Sequence, residues 1–127
     1  MIFEHTALNV PDPIAFATWY GQHLGLRVVR HLPQAHQTHF LADSRGASIE
    51  IYCNPAAPLP DYATMHHLVL HLAFASADAA ADTTRLIAVG ATHVEEIRPP
   101  DGSLLVMLRD PWGVALQLCQ RATPLTA

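Results

Sequence analysis

Eight short stretches of β-like sequence and two longer helical stretches account for most of the apolar positions of the chain. The β-like stretches lie at about 2–10, 26–32, 36–43, 47–54, 67–75, 92–98, 103–109 and 113–120. The segments "PIAFATWYGQHL" and "AAADTTRLIAV" are typical of helices. An aspartate precedes each helix, Asp12 or Asp78, and its carboxylate can accept from the free backbone N–H groups of the first turn. A glycine follows each, Gly25 or Gly90, as is common at helix ends.

The sequence repeats itself once. "HTALNVPD" at 5–12 aligns with "HLAFASAD" at 71–78, and "DSRGASIEIY" at 43–52 aligns with "DPWGVALQLC" at 110–119. Because the matches keep one order and nearly one offset, they indicate two copies of one unit. We therefore predict an α+β fold of two tandem βαβββ modules within one domain over residues 1–127. The boundaries fall at about 1–54 for the first module, 55–65 for a proline-rich spacer and 66–121 for the second module.

The alternation within the strands places the polar side chains that could bind a metal on one face of each predicted sheet. Apolar residues occupy the face that a helix would cover, which leaves His5 and Glu50 on the other face in unit one, and His71 and Gln117 in unit two. We expect this second face to be concave and a pseudo-twofold relation to bring the four side chains together. Two imidazoles, a carboxylate and an amide oxygen suit a divalent ion such as Zn, Ni, Co, Mn or Fe. The alternative is four interior polar residues that hydrogen-bond across a cleft.

Further residues are predicted to line the same cavity and to contact a small-molecule substrate. They are Phe3, Asn9, His39, Tyr52, Asn54 and His67. Cys119 shares the face of Gln117, but no histidine is paired with it in sequence to activate the thiol.

Composition removes several classes of function. Only 14% of the residues are charged, the net charge is -4, and no basic stripe occurs, so neither nucleic acid nor a membrane surface is an expected partner. The chain has no lysine, which excludes Schiff-base chemistry. The two cysteines form no C-x-x-C motif, and the first residues do not resemble a signal peptide. We expect a cytoplasmic protein with reduced thiols.

Four segments together resemble the vicinal oxygen chelate superfamily, which includes glyoxalase I, extradiol dioxygenases, and the fosfomycin- and bleomycin-resistance proteins. They are "HTALNVPDP", "FATWYGQHLGLRVV", "LHLAFASADAAADTTRLIAVGA" and "LRDPWGVALQLCQ". The resemblance implies paired βαβββ modules around a sheet-lined cavity, and a homodimer. It also implies metal-ligand roles for His5, Glu50 and His71, with one divalent ion that binds neighbouring substrate oxygens as a Lewis acid.

The sequence departs from the metal-dependent relatives at Gln117, where they carry a glutamate. An amide oxygen can ligate a metal but cannot act as a general base, so Glu50 is the candidate catalytic base. The positions expected to hold glutathione carboxylates lack the arginine and lysine of bacterial glyoxalase I, with Asn9 at the first of them, which favours a different substrate. We therefore expect a metal-dependent lyase, isomerase or oxygenase. The alternatives are a metal-free protein of the bleomycin-resistance kind that sequesters a drug or metabolite and, with less support, a non-catalytic regulator.

Overall fold

The computed structural model describes residues 1–125. The chain forms two compact units, Met1–Pro60 and a second that begins at Asp61. Each unit contains one helix and one four-stranded sheet in the order βαβββ, which confirms the predicted α+β fold. Among residues 1–125 no helix has the length and apolar character needed to cross a membrane.

Unit 1 packs one helix on a mixed sheet. Its elements are β1 (Thr6–Asn9), α1 (Pro13–Leu24), β2 (Arg27–Leu32), β3 (Thr38–Ala42) and β4 (Ser48–Tyr52). The strand order is β1-β4-β3-β2, in which β1 and β4 are parallel and the other pairs are antiparallel. The first strand of the unit therefore lies directly beside its last strand, although the helix and two strands separate them in sequence.

Unit 2 repeats this arrangement. Its elements are β5 (Leu72–Ala75), α2 (Ala79–Ile87), β6 (Thr92–Ile97), β7 (Leu104–Arg109) and β8 (Ala115–Gln120). The order is β5-β8-β7-β6, again with the first and last strands parallel.

One face of each sheet lies under its own helix and forms the core. In unit 1, Leu8, Leu41 and Ile51 are at most 4% exposed, as are Phe16 and Tyr20 of α1. In unit 2 the corresponding residues are Leu86, Val106, Leu108, Val114, Leu116 and Leu118. We call the opposite side of each sheet the open face. Because the apolar side chains of a strand must point toward the helix, the alternate side chains of that strand lie on the open face.

The residues that cap the helices are those predicted from the sequence, with one exception. Asp12 Oδ1 accepts from the Ala15 N–H at 3.0 Å, and Asp78 Oδ1 accepts from the Ala81 N–H at 2.9 Å. Gly25 ends α1 with a left-handed φ of 73°. Gly90 is not the cap of α2, because the helix ends earlier, at Ile87, and its cap residue Ala88 is right-handed. Gly90 instead ends the turn that follows the helix, with a φ of 112°.

The first strand of each unit is shorter than predicted. β1 begins at Thr6 rather than at about residue 2, and β5 begins at Leu72 rather than at about residue 67. Thr6 pairs with Ile49 and Leu72 with Leu116, close to the first residues of β4 and β8, so the residues upstream have no neighbouring strand to pair with. Residues 67–70 form turns instead. Strand alternation therefore does not assign Phe3 and His67 to the faces of His5 and His71.

An aspartate closes the last hairpin turn of each unit. Asp43 Oδ1 accepts from the Arg45 and Ala47 N–H groups, and Asp110 Oδ1 accepts from the Trp112 and Val114 N–H groups. The glycines that end these turns have nearly equal positive φ values, 92° at Gly46 and 87° at Gly113. Their surroundings differ, because a Cβ at Gly113 would lie 2.7 Å from the backbone of Ala63, whereas a Cβ at Gly46 would meet nothing within 4 Å.

We expect Gly113→Ala to destabilise the fold much more than Gly46→Ala. Both substitutions add the strain of a left-handed backbone, about 1 kcal/mol, but only Gly113→Ala also forces a methyl group against Ala63, for a total of about 2–4 kcal/mol. Urea unfolding of the two variants and the parent chain measures the difference. Equal losses of unfolding free energy in the two variants would contradict the close packing of residue 63 on this turn.

Candidate functional site

His5 and Glu50 meet on the open face of unit 1. Ala7 of β1 lies opposite Glu50 of β4, and Glu50 lies opposite Phe40 of β3, so these three side chains form a row across the sheet. His5 immediately precedes β1 and reaches this row, with its Nε2 3.2 Å from Glu50 Oε2. The edge of the His5 ring packs on Phe40 with a centroid separation of 5.5 Å. Phe40 thereby restricts the imidazole to an orientation in which it faces the carboxylate.

The donor set of this pair fits a divalent ion. An imidazole nitrogen and a carboxylate oxygen that each lie about 2.1 Å from one ion are about 3.0–3.4 Å apart, which includes the observed 3.2 Å. The other ring nitrogen, Nδ1, is buried and accepts or donates no hydrogen bond, although a Glu4 carboxylate oxygen lies 3.2 Å away. The side chains of His5 and Glu50 are 28% and 21% exposed, so small solutes have access to them.

Unit 2 presents the second histidine with a defined tautomer. His71 immediately precedes β5, and its Nδ1 lies 3.1 Å from the backbone carbonyl of His67. Since a carbonyl only accepts, Nδ1 carries the proton and Nε2 keeps a free lone pair. This is the usual arrangement of histidine ligands, in which one ring nitrogen donates to a backbone carbonyl or carboxylate and the other binds the metal.

Gln117 lies on the open face of unit 2, in the row that corresponds to that of Glu50. It is opposite Ala73 of β5 on one side and Met107 of β7 on the other. Its Oε1 accepts a hydrogen bond from the thiol of Cys119 at 3.4 Å. A carboxamide oxygen with one weak donor retains a lone pair, so Gln117 is chemically able to ligate an ion.

Each unit thus supplies one histidine and one carboxylate or amide of the four predicted ligands. Within either unit, residues 1–125 include no group of three or more His, Cys, Asp or Glu side chains arranged to hold a metal ion.

His39, which is predicted to line the cavity, does not lie on the face of Glu50. His39 is directly opposite Ile51 in the β3–β4 hairpin, so its side chain lies on the helix-covered face and is only 6% exposed. It stacks on His31 with a centroid separation of 4.0 Å, and its Nδ1 lies 2.6 Å from the Gln37 carbonyl. Burial lowers the pKa of His39, with a further lowering by the neighbouring His31 that the Gln37 hydrogen bond opposes.

Two predicted substrate contacts have structural partners instead. The Asn9 amide group donates to the carbonyls of Asn54, Ala57 and Pro58, and its Oδ1 accepts from the Asn54 N–H at 2.8 Å. The Asn54 Oδ1 accepts from the Ala56 N–H. These bonds hold the loop after β4 against β1.

The other three residues predicted to contact substrate differ in exposure and in their partners. Tyr52 lies half-buried beside Asn9 on the open face, and Phe3 lies before β1 with 80% of its surface exposed. His67 is engaged by Glu95, whose Oε1 lies 2.8 Å from its Nε2.

Three open-face residues were absent from the sequence prediction: Phe40, Arg30 and Glu95. Arg30 of β2 is opposite Phe40, and both line a depression of about 330 Å³ together with Glu4, Val29 and Ser48. In unit 2, Glu95 of β6 occupies the position of Arg30 in the equivalent row, opposite Met107. Counting outward from the four letters "DSRG" would pair residue 50 with residue 39, whereas the turn closes between Asp43 and Ala47 and pairs Glu50 with Phe40. The sequence therefore contained no signal for Phe40.

The sequence profile of the Glyoxalase/Bleomycin resistance protein/Dioxygenase superfamily matches residues 2–118. The chain therefore belongs to this superfamily, as its tandem βαβββ units also indicate. Comparison with curated proteins yields no match.

Solved structures share the fold over nearly the whole chain. A glyoxalase-related enzyme from Fulvimarina pelagi is 20% identical with a TM-score of 0.74, over 100% of this chain and 94% of that one. TnmS3, an antibiotic-binding protein from Streptomyces sp. CB03234, is 19% identical with a TM-score of 0.72, over 96% and 97%. Lactoylglutathione lyase from Agrobacterium tumefaciens is 25% identical with a TM-score of 0.66, over 94% and 92%. These neighbours include both enzymes and a binding protein, so the fold alone does not select the activity.

We expect Cys119 to react with iodoacetamide at pH 7.5 at least about tenfold more slowly than Cys53. Cys119 is only 8% exposed, and burial raises the pKa of its thiol, so little thiolate forms until the pH is well above neutral; Cys53 is half-buried. Peptide mass spectrometry of timed samples measures both rates, and urea-unfolded protein provides the control in which the two rates converge. Faster labelling of Cys119 would instead identify it as an activated nucleophile.

Proposed function

We propose that the protein is a metal-dependent enzyme of this superfamily that acts on a small molecule with neighbouring oxygen atoms, by a lyase, isomerase or oxygenase reaction. One divalent ion per chain (Zn, Ni, Co, Mn or Fe) is bound by His5, Glu50 and His71, with Gln117 as a fourth ligand or beside a position open to water. The bound ion supplies Lewis-acid polarisation of the substrate oxygens.

The contact between His5 and Glu50 carries this proposal. A surface carboxylate needs no histidine partner, whereas here both side chains are more than two-thirds buried and Phe40 fixes the ring that faces the carboxylate. The free Nε2 of His71 adds a second nitrogen donor that is already in the tautomer required of a ligand.

Glu50 is assigned the proton-transfer role. Of the four proposed ligands only its carboxylate can accept and return a proton, because Gln117 is an amide and the two imidazoles are committed as donors to the ion. Phe40 and Tyr52 provide apolar and aromatic surface beside it for the substrate. The proposed substrate is not a glutathione conjugate, because Asn9 stands at a position expected to hold a glutathione carboxylate and is bonded to Asn54 in the loop after β4.

The first test is the metal content of untagged protein, measured by inductively coupled plasma mass spectrometry. We expect about one divalent ion per chain in the parent protein and little in Glu50→Gln or His71→Ala, because each change removes one strong ligand. His93→Ala is the matched control, since His93 is an exposed histidine of β6 opposite Leu108 and should leave the metal content unchanged.

An unchanged metal content in Glu50→Gln and His71→Ala would overturn the ligand assignment. No bound metal in the parent protein, even after incubation with Ni, Co, Zn, Mn and Fe(II), would overturn the metal-dependent function. Confirmed loading would direct the substrate search to chelating diols, ketoaldehydes and epoxides.

A metal-free binding protein is the second candidate, and the composition of the open face in unit 2 favours it. There Gln117 takes the place of the carboxylate of Glu50 and lies beside Ala73, so this pair offers hydrogen bonding and apolar contact without a charge of its own. Such a surface suits an uncharged drug or metabolite. In this function His5 and Glu50 would pair with each other as in the described structure.

We also propose a homodimer in the cytoplasm. Equivalent apolar pairs precede the two histidines, Ile2 and Phe3 before His5, and Leu68 and Val69 before His71, and all four residues are at least 70% exposed. A second copy of the chain would cover them. The unbridged thiols of Cys53 and Cys119 support a reducing compartment.

Sedimentation velocity tests the dimer with the matched variants Phe3→Ser and Ile87→Ser, the latter an exposed apolar residue of α2. We expect a mass of twice 13.9 kDa for the parent chain and for Ile87→Ser, and a shift toward the monomer for Phe3→Ser. A parent chain that sediments as a monomer at 100 µM (about the upper range of such measurements) would contradict the proposal.

A further inference from the structure

The structure assigns positioning roles to Glu95 and His67: this pair holds the turn before β5 so that His71 keeps its Nδ1–H tautomer and presents Nε2 as a donor. The inference rests on the proposed function in naming His71 as a ligand. The contacts themselves lie entirely within unit 2.

The first step is the bond between the two positioning residues. Glu95 projects from the open face of β6, and its Oε1 lies 2.8 Å from His67 Nε2. The His67 side chain is only 12% exposed, so this short contact is shielded from water on the histidine side. His67 lies in the turn 67–70, which has no strand neighbour to fix it. The cross-link to β6 therefore supplies a fixed point that backbone pairing does not.

The second step leads from His67 to His71. The carbonyl of His67 accepts from His71 Nδ1 at 3.1 Å, so the place of that carbonyl determines the tautomer and the ring direction of His71. The turn between them is tight, since the Val69 N–H donates to the His66 carbonyl and the Leu68 N–H donates to His66 Nδ1. A displacement of His67 would consequently move the acceptor away from the His71 ring.

The segment that precedes the turn is fixed independently. The Arg109 guanidinium of β7 donates to the carbonyls of Tyr62 and Met65 at 2.7 and 2.8 Å. Loss of the Glu95–His67 bond should therefore release only the residues between Met65 and β5. This local release leaves the core and the sheet intact, which allows positioning to be separated from folding.

Comparison of the two repeated units shows that the Glu95–His67–His71 contacts occur in unit 2 alone. In the equivalent row of unit 1, Arg30 takes the place of Glu95, and His5 has no carbonyl acceptor at Nδ1. A purely architectural contact of this fold would be expected in both copies. The acid at position 95 instead accompanies the one histidine whose ring is oriented by a backbone carbonyl.

The tautomer is tested in the metal-free, EDTA-treated full chain by long-range imidazole ¹H–¹⁵N spectra. We expect His71 in the parent chain to give the Nδ1–H pattern. Glu95→Ala and His67→Ala should both shift it toward the Nε2–H form that free histidine prefers. Glu96→Ala is the matched control, because Glu96 is the next residue of β6, points to the other face and pairs with Arg98 at 2.9 Å.

Metal affinity provides the second readout, by competition with a chelator. Glu95→Ala should weaken binding by about 10–100-fold, Glu95→Gln less, since it retains an acceptor for His67, and Glu96→Ala not at all. The double variant His67→Ala/Glu95→Ala should bind no more weakly than either single variant, because both remove the same bond. Circular dichroism of each variant verifies that the fold is retained.

The outcomes separate this inference from the proposed function. A His71 tautomer that Glu95→Ala leaves unchanged overturns the positioning role, whatever the metal content of the parent chain. A tautomer shift in a protein that binds no metal supports the positioning role and overturns the metal-dependent function. Additive losses of affinity in the double variant would contradict a shared bond.

Discussion

Each four-stranded sheet must bury one face under its own helix, and the placement of every candidate ligand depends on this constraint. Leu8, Leu41 and Ile51 are almost fully buried beneath α1, and the pleat of the strands then directs Ala7 and Glu50 to the opposite face. A register shift of one residue would place Glu50 in the apolar core at a large cost in desolvation. The buried apolar face is therefore what makes the open face chemically specific.

The βαβββ connectivity adds a second constraint. Because the first and last strands of a unit are parallel neighbours, a residue at the start of one strand meets a residue near the start of the other. His5 and Glu50 are 45 positions apart and yet their side chains lie within 3.2 Å. The same topology places Ala73 beside Gln117 in unit 2. Repetition of the unit thus generates two equivalent places for polar donors, and substitution in one copy has made them chemically different.

The ends of these strands matter as much as their pairing. Both histidines lie one residue before the regular strand, where backbone pairing no longer dictates the side-chain direction. His5 is oriented by Phe40 and Glu50, whereas His71 is oriented by a carbonyl of the preceding turn. Placing ligands at strand ends lets side-chain contacts tune each ring without disturbing the sheet.

The sequence by itself determined the order of helices and strands, the repeat, and the sheet face on which the candidate ligands Glu50 and Gln117 lie. Local chemistry is sufficient for these features: Asp12 and Asp78 cap helices through bonds three residues away, Asp43 and Asp110 close their own turns, and alternation assigns Glu50 and Gln117 to one face. The faces of Phe40 and His39 depend on the hairpin register, and the turn letters alone do not give it, because the hairpin closes between Asp43 and Ala47.

Only the tertiary structure decided where the strands begin and what holds the histidines. Residues 67–70 are mostly apolar and precede a strand, but β8 offers them no backbone partner. A strand without a neighbour leaves its N–H and C=O groups unpaired. The Glu95–His67 bond spans 28 positions, and the three Arg109 bonds reach from β7 to a turn 44–47 positions earlier and to the hairpin after β7. Such contacts depend on which strands are neighbours and how far side chains reach across them, and a pattern read along the chain contains neither quantity.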